Sequence, residues 1–463
     1  MYTLKTIAEQ YAEFLVQLNY QQIPDEVILS AKRHILDTIG VAIRGRTHEN
    51  AVNSLKGLLE VNKNAQFIPV LGSKVKLSTE YAALANGIAA HCLDFDDTHT
   101  DSIVHGSTII TPVVLALGEE LNSSGEELLT AFIGAWEVSA RIGLASRGTF
   151  HKRGFHTTSI AGIFGAVAAA SKLLNLSENE IINALGLAGS QTSGINEYLS
   201  NSSSSKSMHA GWSAFSGILS TRFAKNGMTG PHSVFEGRDG IFKTYGIFDE
   251  CDLSLATNSL FETWETTRIS IKPYPCCHFA HAFIDCIGNL LKKGVQVEAI
   301  SAIKCYVPEI EQALICEPFA EKLRPVTTYG AKFSLPFLLA TKLLDKKINH
   351  NTFVLKNLNR SDIEAISDLV SYESADASTT MFPKTFPGHL LVTLKDGMII
   401  TERLDINIGH PDNPISQELL LEKFSDNCSE LISEQAIKKI IDSVMLLPKS
   451  SIKEITASTQ TTV

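Results

Sequence analysis

Over roughly the first 265 residues, apolar positions recur mostly at helical spacing. Met1 to Gln10 sets charges inside its apolar pattern and reads as an amphipathic helix, not as a secretion signal. Pro24-Asp25-Glu26 puts a φ-locked residue and two acids in a first turn, after which Ile28, Ala31, Ile35 and Ile39 share one helical face. Ser124-Gly-Glu-Glu127 and Ser177-Glu-Asn-Glu180 are capping boxes: the serine hydroxyl accepts a leading N–H and the glutamate reaches back. Each predicts an apolar helix. Thr111-Pro112 predicts another helix start, running through Val114, Leu115 and Leu117. Alanine and glycine are dense from Ala161 to Gly189, which permits close helix packing.

Near residue 266 the pattern changes. Arg268 to Lys272 alternates like a strand, and Ile300 to Val307 is rich in strand formers. His389 to Leu394 runs into Asp396-Gly397, a hairpin dipeptide, and Met398 to Thr401 returns. Helices are expected over 278–293 and 331–343. After Gly409-His-Pro-Asp-Asn-Pro414 the helical pattern resumes, and the Lys/Ser/Thr-rich tail from 449 is expected to be loosely held. The fold expected is mainly α with α+β. A helical domain is built from both chain ends (1–266 and 406–463), with an inserted α+β domain (267–405).

Forty Lys+Arg against fifty Asp+Glu give a net charge of −10, with 44% hydrophobic and 19% charged residues. That balance excludes a disordered chain and argues against a nucleic-acid partner. The eight cysteines form no C-x-x-C pair, which suits reduced thiols in the cytoplasm better than a disulfide framework or a metal site. The nearly uncharged run Ile160 to Ala170 is well short of the roughly 20 residues of a membrane span, so no membrane association is expected.

Four segments carry candidate chemistry. His91 to Thr108 concentrates Asp94, Asp96, Asp97, Asp101, His91, His99 and His105 ahead of an apolar helix. The Asp-x-Asp-Asp spacing suits Mg²⁺, the imidazoles suit acid/base work, and a capped, hydrogen-bonded loop needs neither. Arg147 to His156 sets basic residues and two glycines before a helix, either an anion site or a basic connector. Ser203-x-x-Lys206 matches an acylating-serine motif that chance explains better, since no S-D-N or K-T-G follows. Lys272-Pro-Tyr-Pro-Cys-Cys-His278, with His281 beyond, pairs a lysine with histidines at a strand end. No phosphate-cradling glycine motif or H-E-x-x-H is present. Two lysines and several imidazoles beside carboxylates suit a small polycarboxylate substrate.

Asp94-Phe-Asp-Asp-Thr98, His105-Gly-Ser107, Gly154-Phe-His156, Lys206 with Met208-His209-Ala-Gly, Lys272 to His278, Ala331 to Phe337, Gly409 to Pro414 and Lys423-Phe424 together resemble the MmgE/PrpD family. The resemblance implies an all-helical domain with an α+β lid, a homodimer, and chemistry without metal or organic cofactor. It puts Asp94, Thr98, His105, His156, Lys206 and Lys272 on the substrate. His105 and His156 are the expected acid and base, Asp94 orients one of them, and Lys206 and Lys272 hold carboxylate charge. Two positions depart from the family's decarboxylase pattern: Cys277 stands where a histidine is expected, leaving His278 or His281 to serve, and Phe337 falls at a tyrosine position. The resemblance therefore implies a lyase on a citrate-like tricarboxylate, with a 2-methylcitrate dehydratase-like hydro-lyase as the leading expectation. The alternatives are a cis-aconitate decarboxylase-like lyase, an epimerase of an imino- or amino-dicarboxylate, and a non-catalytic metabolite-binding homologue.

Overall fold

The computed structural model describes residues 5–62, 67–201, 203–375 and 385–460. The chain divides into two compact units, Met1–Ile271 with Gln417–Val463, and Lys272–Ser416. These joints differ from those expected at 266/267 and 405/406, for local reasons. Thr98 and Ser270 exchange backbone hydrogen bonds at 2.9 and 2.8 Å, holding the stretch before 271 to the first unit. Downstream, Ile408 N–H donates to Asp285 at 2.9 Å, keeping that stretch with the second.

The first unit is helical. Its caps form as the sequence expects: the Ser124–Glu127 and Ser177–Glu180 boxes open the helices Gly125–Ser146 and Glu178–Gly189. By length and composition Gly125–Ser146 is apolar enough to cross a membrane, yet 94% of its apolar window is buried among neighbouring helices. It is a core helix, holding Trp136 and Phe132 fully buried. Its Glu137 and Arg141, one turn apart, pair with each other, and Glu137 also accepts the N–H groups of Glu265 and Thr266 at 3.0 Å. A buried charge pair thus anchors the connection toward residue 270. A two-stranded ribbon, β1 (Ile68–Pro69) and β2 (Lys76–Leu77), completes the unit's regular structure among the described residues.

One contact between helices governs the site. Helices Thr79–His91 and Ser205–Lys225 touch backbone to backbone, because a Cβ on Gly211 would lie 2.3 Å from the carbonyl oxygen of Leu84. Only glycine permits that approach. It brings the C-terminal end of the first helix, at His91, beside the first turns of the second.

Three expectations for this unit are corrected. Thr111-Pro112 does not start a helix: Ser107–Leu121 begins a turn earlier and carries Pro112 inside, leaving the Thr108 carbonyl without its usual i+4 donor. Arg268–Lys272 is not a strand, since its alternation serves a single bridge between Ser270 and Thr98. The tail from 449 is not loose through its described residues: helix Ile452–Ser458 buries Ile452 and Ile455.

The second unit is built on a four-stranded sheet of order β4-β3-β5-β6: β3 (Ile300–Val307), β4 (Val370–Ser374), β5 (Gly388–Leu394) and β6 (Ile399–Leu404). The β5–β6 hairpin turns through Gly397, whose φ of 89° suits glycine. β4 runs parallel to β3 and was not expected; its Val-Ser-Tyr-Glu-Ser run is short and polar, as edge strands are. Helix His281–Lys292 packs on β5 and β6, and Leu335–Asp345 packs on that helix. Phe283, Ile287, Ile303, Leu338 and Leu390 share the resulting core.

Candidate active site

The first unit gathers the buried His91, His156 and His209 and the half-buried His105 into one cluster. His91 ends its helix, His156 caps the helix Thr157–Leu173, and His209 lies one turn into Ser205–Lys225. His91 stacks on His156 with ring centroids 5.5 Å apart, and His105 lies 5.3 Å from His91. The loop 92–106 supplies the carboxylates. Asp96 Oδ2 is 2.8 Å from His91 Nδ1 and 3.1 Å from His105 Nδ1. His105 Nδ1 also meets the Asp97 carbonyl at 2.9 Å and the Thr98 hydroxyl at 3.0 Å. A carboxylate and a carbonyl only accept, so both Nδ1 atoms carry hydrogen, and in a neutral ring Nε2 holds the lone pair.

Burial pushes the Asp96 carboxyl up, but the two imidazoles beside it outweigh burial and hold it well below the ordinary carboxylate range. Burial lowers His91 despite Asp96. His156 is held well below the usual histidine value, by burial first and then by His91, Lys206 and the other rings. His209 is lowered to about 4, again mainly by burial. Asp96 is therefore an anion, and His91, His156 and His209 are neutral near pH 7.

Behind the loop lies a second polar layer. Lys423 Nζ bonds Asp37 at 2.7 Å and the Phe95 carbonyl at 3.0 Å, and sits 3.9 Å from the Phe95 ring centroid. His34 Nδ1 bonds Asp97 Oδ2 at 2.8 Å. Burial raises Asp37 to about 6 against the pull of Lys423. The segment Phe95–Thr98 is thus pinned from the rear while its front face holds His105.

Among the residues expected on the substrate, Asp94, Thr98, His105, His156 and Lys206 converge here. Asp94 takes Lys206 Nζ at 2.8 Å, whereas Asp96 makes the close contacts to the imidazoles of His91 and His105. Asp94 has φ 56°, a left-handed conformation that Asp tolerates and that turns successive carboxylates to different partners. With Asp97 on His34, the Asp-x-Asp-Asp run does not converge on one point, and the described residues hold no metal-ligand group of three or more. In the basic segment, Lys152 pairs with Glu250 and Arg153 bonds the Gly246 carbonyl, while His156 enters the cluster.

Lys272, His278 and His281 belong to the second unit, and all are buried. His278 Nε2 is 3.2 Å from Asn407 Nδ2, and its ring lies 4.8 Å from that of His281. His281 Nε2 meets the Cys276 carbonyl at 3.3 Å, and Tyr274 donates to Asp285 at 2.8 Å. Cys277 and Phe337 are buried in this unit's core.

Sequence reasoning did not give roles to His91, Asp96, His209, Asp37, His34 or Lys423. Two signals were available. Asp96 and His91 lie inside the polar cluster singled out, and His34 and Asp37 are polar residues one turn apart within the apolar run of Asp25–Gly45.

Imidazoles held by a carboxylate, next to a lysine–aspartate pair, are the kind of groups that acid–base chemistry uses. The MmgE/PrpD N-terminal domain matches residues 9–253 and the MmgE/PrpD C-terminal domain residues 274–447. Cis-aconitate decarboxylase of Homo sapiens is 30% identical over 449 residues, covering 95% of this chain and 91% of that protein. Cis-aconitate decarboxylase of Aspergillus terreus is 24% identical over 461 residues, 96% and 93% of the two chains. The 2-methylcitrate dehydratase of Cupriavidus necator is 22% identical over 427 residues, 86% and 85% of the two chains. The chain belongs to the MmgE/PrpD family, and it is a lyase.

Proposed function

We propose that this lyase is a decarboxylase of an unsaturated tricarboxylate, with cis-aconitate as its substrate. This reverses the order of the two lyase readings drawn from sequence. The decarboxylases named above stand at 30% and 24% identity over more than nine tenths of both chains, the dehydratase at 22% over a shorter span. The observation that carries the reading is the Lys206–Asp94 pair beside imidazoles whose proton-bearing atoms Asp96 defines.

In such a substrate one carboxylate sits a single carbon away from the C=C bond. Its C–C bond breaks, CO₂ leaves, and the electron pair forms a new double bond while the old one shifts its charge onto the carbon beside another carboxylate. That carbon takes a proton, so one proton is consumed per CO₂ released. His105, through Nε2, and His156 are the proton carriers of this reading, and Lys206 offsets the charge growing on the neighbouring carboxylate. Lys272, Thr98, His278 and His281 are proposed substrate contacts on the family resemblance.

Incubation with cis-aconitate, 2-methylcitrate and citrate, with CO₂ and unsaturated diacid measured by chromatography, tests the proposal. Release of CO₂ and a five-carbon diacid from cis-aconitate alone is the expected result. Loss of water from 2-methylcitrate without CO₂ overturns it in favour of a hydro-lyase; the Cys277 and Phe337 departures weigh against decarboxylation. Deuterium wash-in at a stereocentre of an amino- or imino-dicarboxylate points to an epimerase, and unchanged substrates to a binding homologue.

A further inference from the structure

His209 has no role in the chemistry above, yet its ring meets that of a proton carrier directly. Its Nδ1 is 3.1 Å from His156 Nδ1. The pair is fixed on several sides. The Tyr198 ring lies 5.9 Å from both imidazoles, nearly edge-on. The Gly194 carbonyl accepts the backbone N–H of His156 at 2.9 Å, and a Cβ at Gly194, where φ is +113°, would crowd the His209 ring at 3.3 Å. A bond between two like nitrogens needs one N–H and one lone pair. With both rings neutral, the tautomers must be complementary: when His209 donates from Nδ1, the single hydrogen of His156 is on Nε2; when His156 donates, its Nε2 is bare. His91 and His105 differ, because Asp96 fixes hydrogen on their Nδ1 atoms.

We infer that His209 is a positioning residue that sets, and resets, the proton on His156 Nε2. The inference rests on His156 being a proton carrier. In the forward step His156 Nε2–H gives its proton to the substrate carbon. His156 Nδ1 takes the proton of His209 Nδ1–H, and His209 Nε2 takes one from solvent. Both rings are then neutral with their tautomers exchanged. Once product leaves, His156 Nε2 takes a solvent proton, its Nδ1–H returns to His209 Nδ1 and His209 Nε2–H goes back to solvent, so the cycle closes with a net uptake of one solvent proton per turnover, as decarboxylation requires.

Long-range ¹⁵N–¹H spectra of histidine-labelled protein without substrate test the first half. The expected pattern is two neutral rings, His156 protonated at Nε2 and His209 at Nδ1; the opposite assignment, two Nε2–H rings, or a charged ring at neutral pH overturns the inference. This readout is independent of the substrate assignment. In turnover, His209→Phe is expected to lower kcat about tenfold or more with KM within about twofold, and His209→Gln, which keeps a polar partner, to recover part of it. In a His156→Asn background, His209→Phe should cost nothing further. An unchanged kcat, or an equal loss in that background, refutes the relay, with thermal midpoints separating misfolding from loss of function.

Discussion

Lys423 and Asp37 give the sharpest test of the layer behind the active-site loop. Their side chains are 3% and 1% exposed, and the charges meet at 2.7 Å. At an effective dielectric of about 20 the attraction is about 6 kcal/mol. Desolvation nevertheless prevails on both sides: burial lifts Asp37 to about 6 and lowers Lys423. The pair therefore adds little net stability, while breaking it strands a buried charge. Lys423→Met or Asp37→Leu alone is expected to cost about 3–5 kcal/mol, and the two together less than either single change. Urea unfolding followed by tryptophan fluorescence reads the correct unit, since Trp136, Trp212 and Trp264 all lie in the first. A double variant as unstable as the sum of the singles, or single variants costing under about 1 kcal/mol, refutes the account. The double variant should still lose activity, because the Phe95 carbonyl loses its donor and the segment carrying Asp96 is less firmly held.

Asp96→Asn should lower kcat by about 10²–10⁴ with little change in KM, because an amide no longer enforces the tautomers of His91 and His105; steady-state kinetics retaining more than a tenth of kcat would contradict this. The folded-state depression of His209 makes its contribution to stability present above about pH 6.5 and lost as pH falls through about 4, with a full value of about 3 kcal/mol. His209→Gln should therefore lose less stability than the parent between those pH values, as thermal midpoints would record. Gly211→Ala, whose new Cβ would press on the Leu84 carbonyl, should cost about 1–3 kcal/mol and reduce activity by moving His91 away from the lysine-bearing helix. Unchanged unfolding and turnover would show that the helix contact is not what sets the site.

The local devices were legible because their physics is local. Both serine–glutamate boxes, the helix after Pro24, β3 and the Asp-Gly hairpin depend on neighbours within a few residues. Pro112 misled because a proline in a helix interior is tolerated when the surrounding packing is extensive, which no window around Thr111 reveals. The tail misled in the opposite way: Ile452 and Ile455 are sparse in sequence but docked in the core.

The same division runs through the site. Composition and spacing singled out residues 91–108, since clustered carboxylates and imidazoles are costly to bury without a use, while His156 and Lys206 were picked out by the family resemblance. Which carboxylate serves which ring was decided in three dimensions. The left-handed turn at Asp94 sends that side chain to Lys206 and leaves Asp96 to the imidazoles. Lys423 is 328 residues from the Phe95 carbonyl it supports, and His209 is 53 from the ring it meets. A hydrogen bond acts over about 3 Å, and one-dimensional spacing holds no record of which distant atoms a glycine-mediated helix contact will bring within that reach.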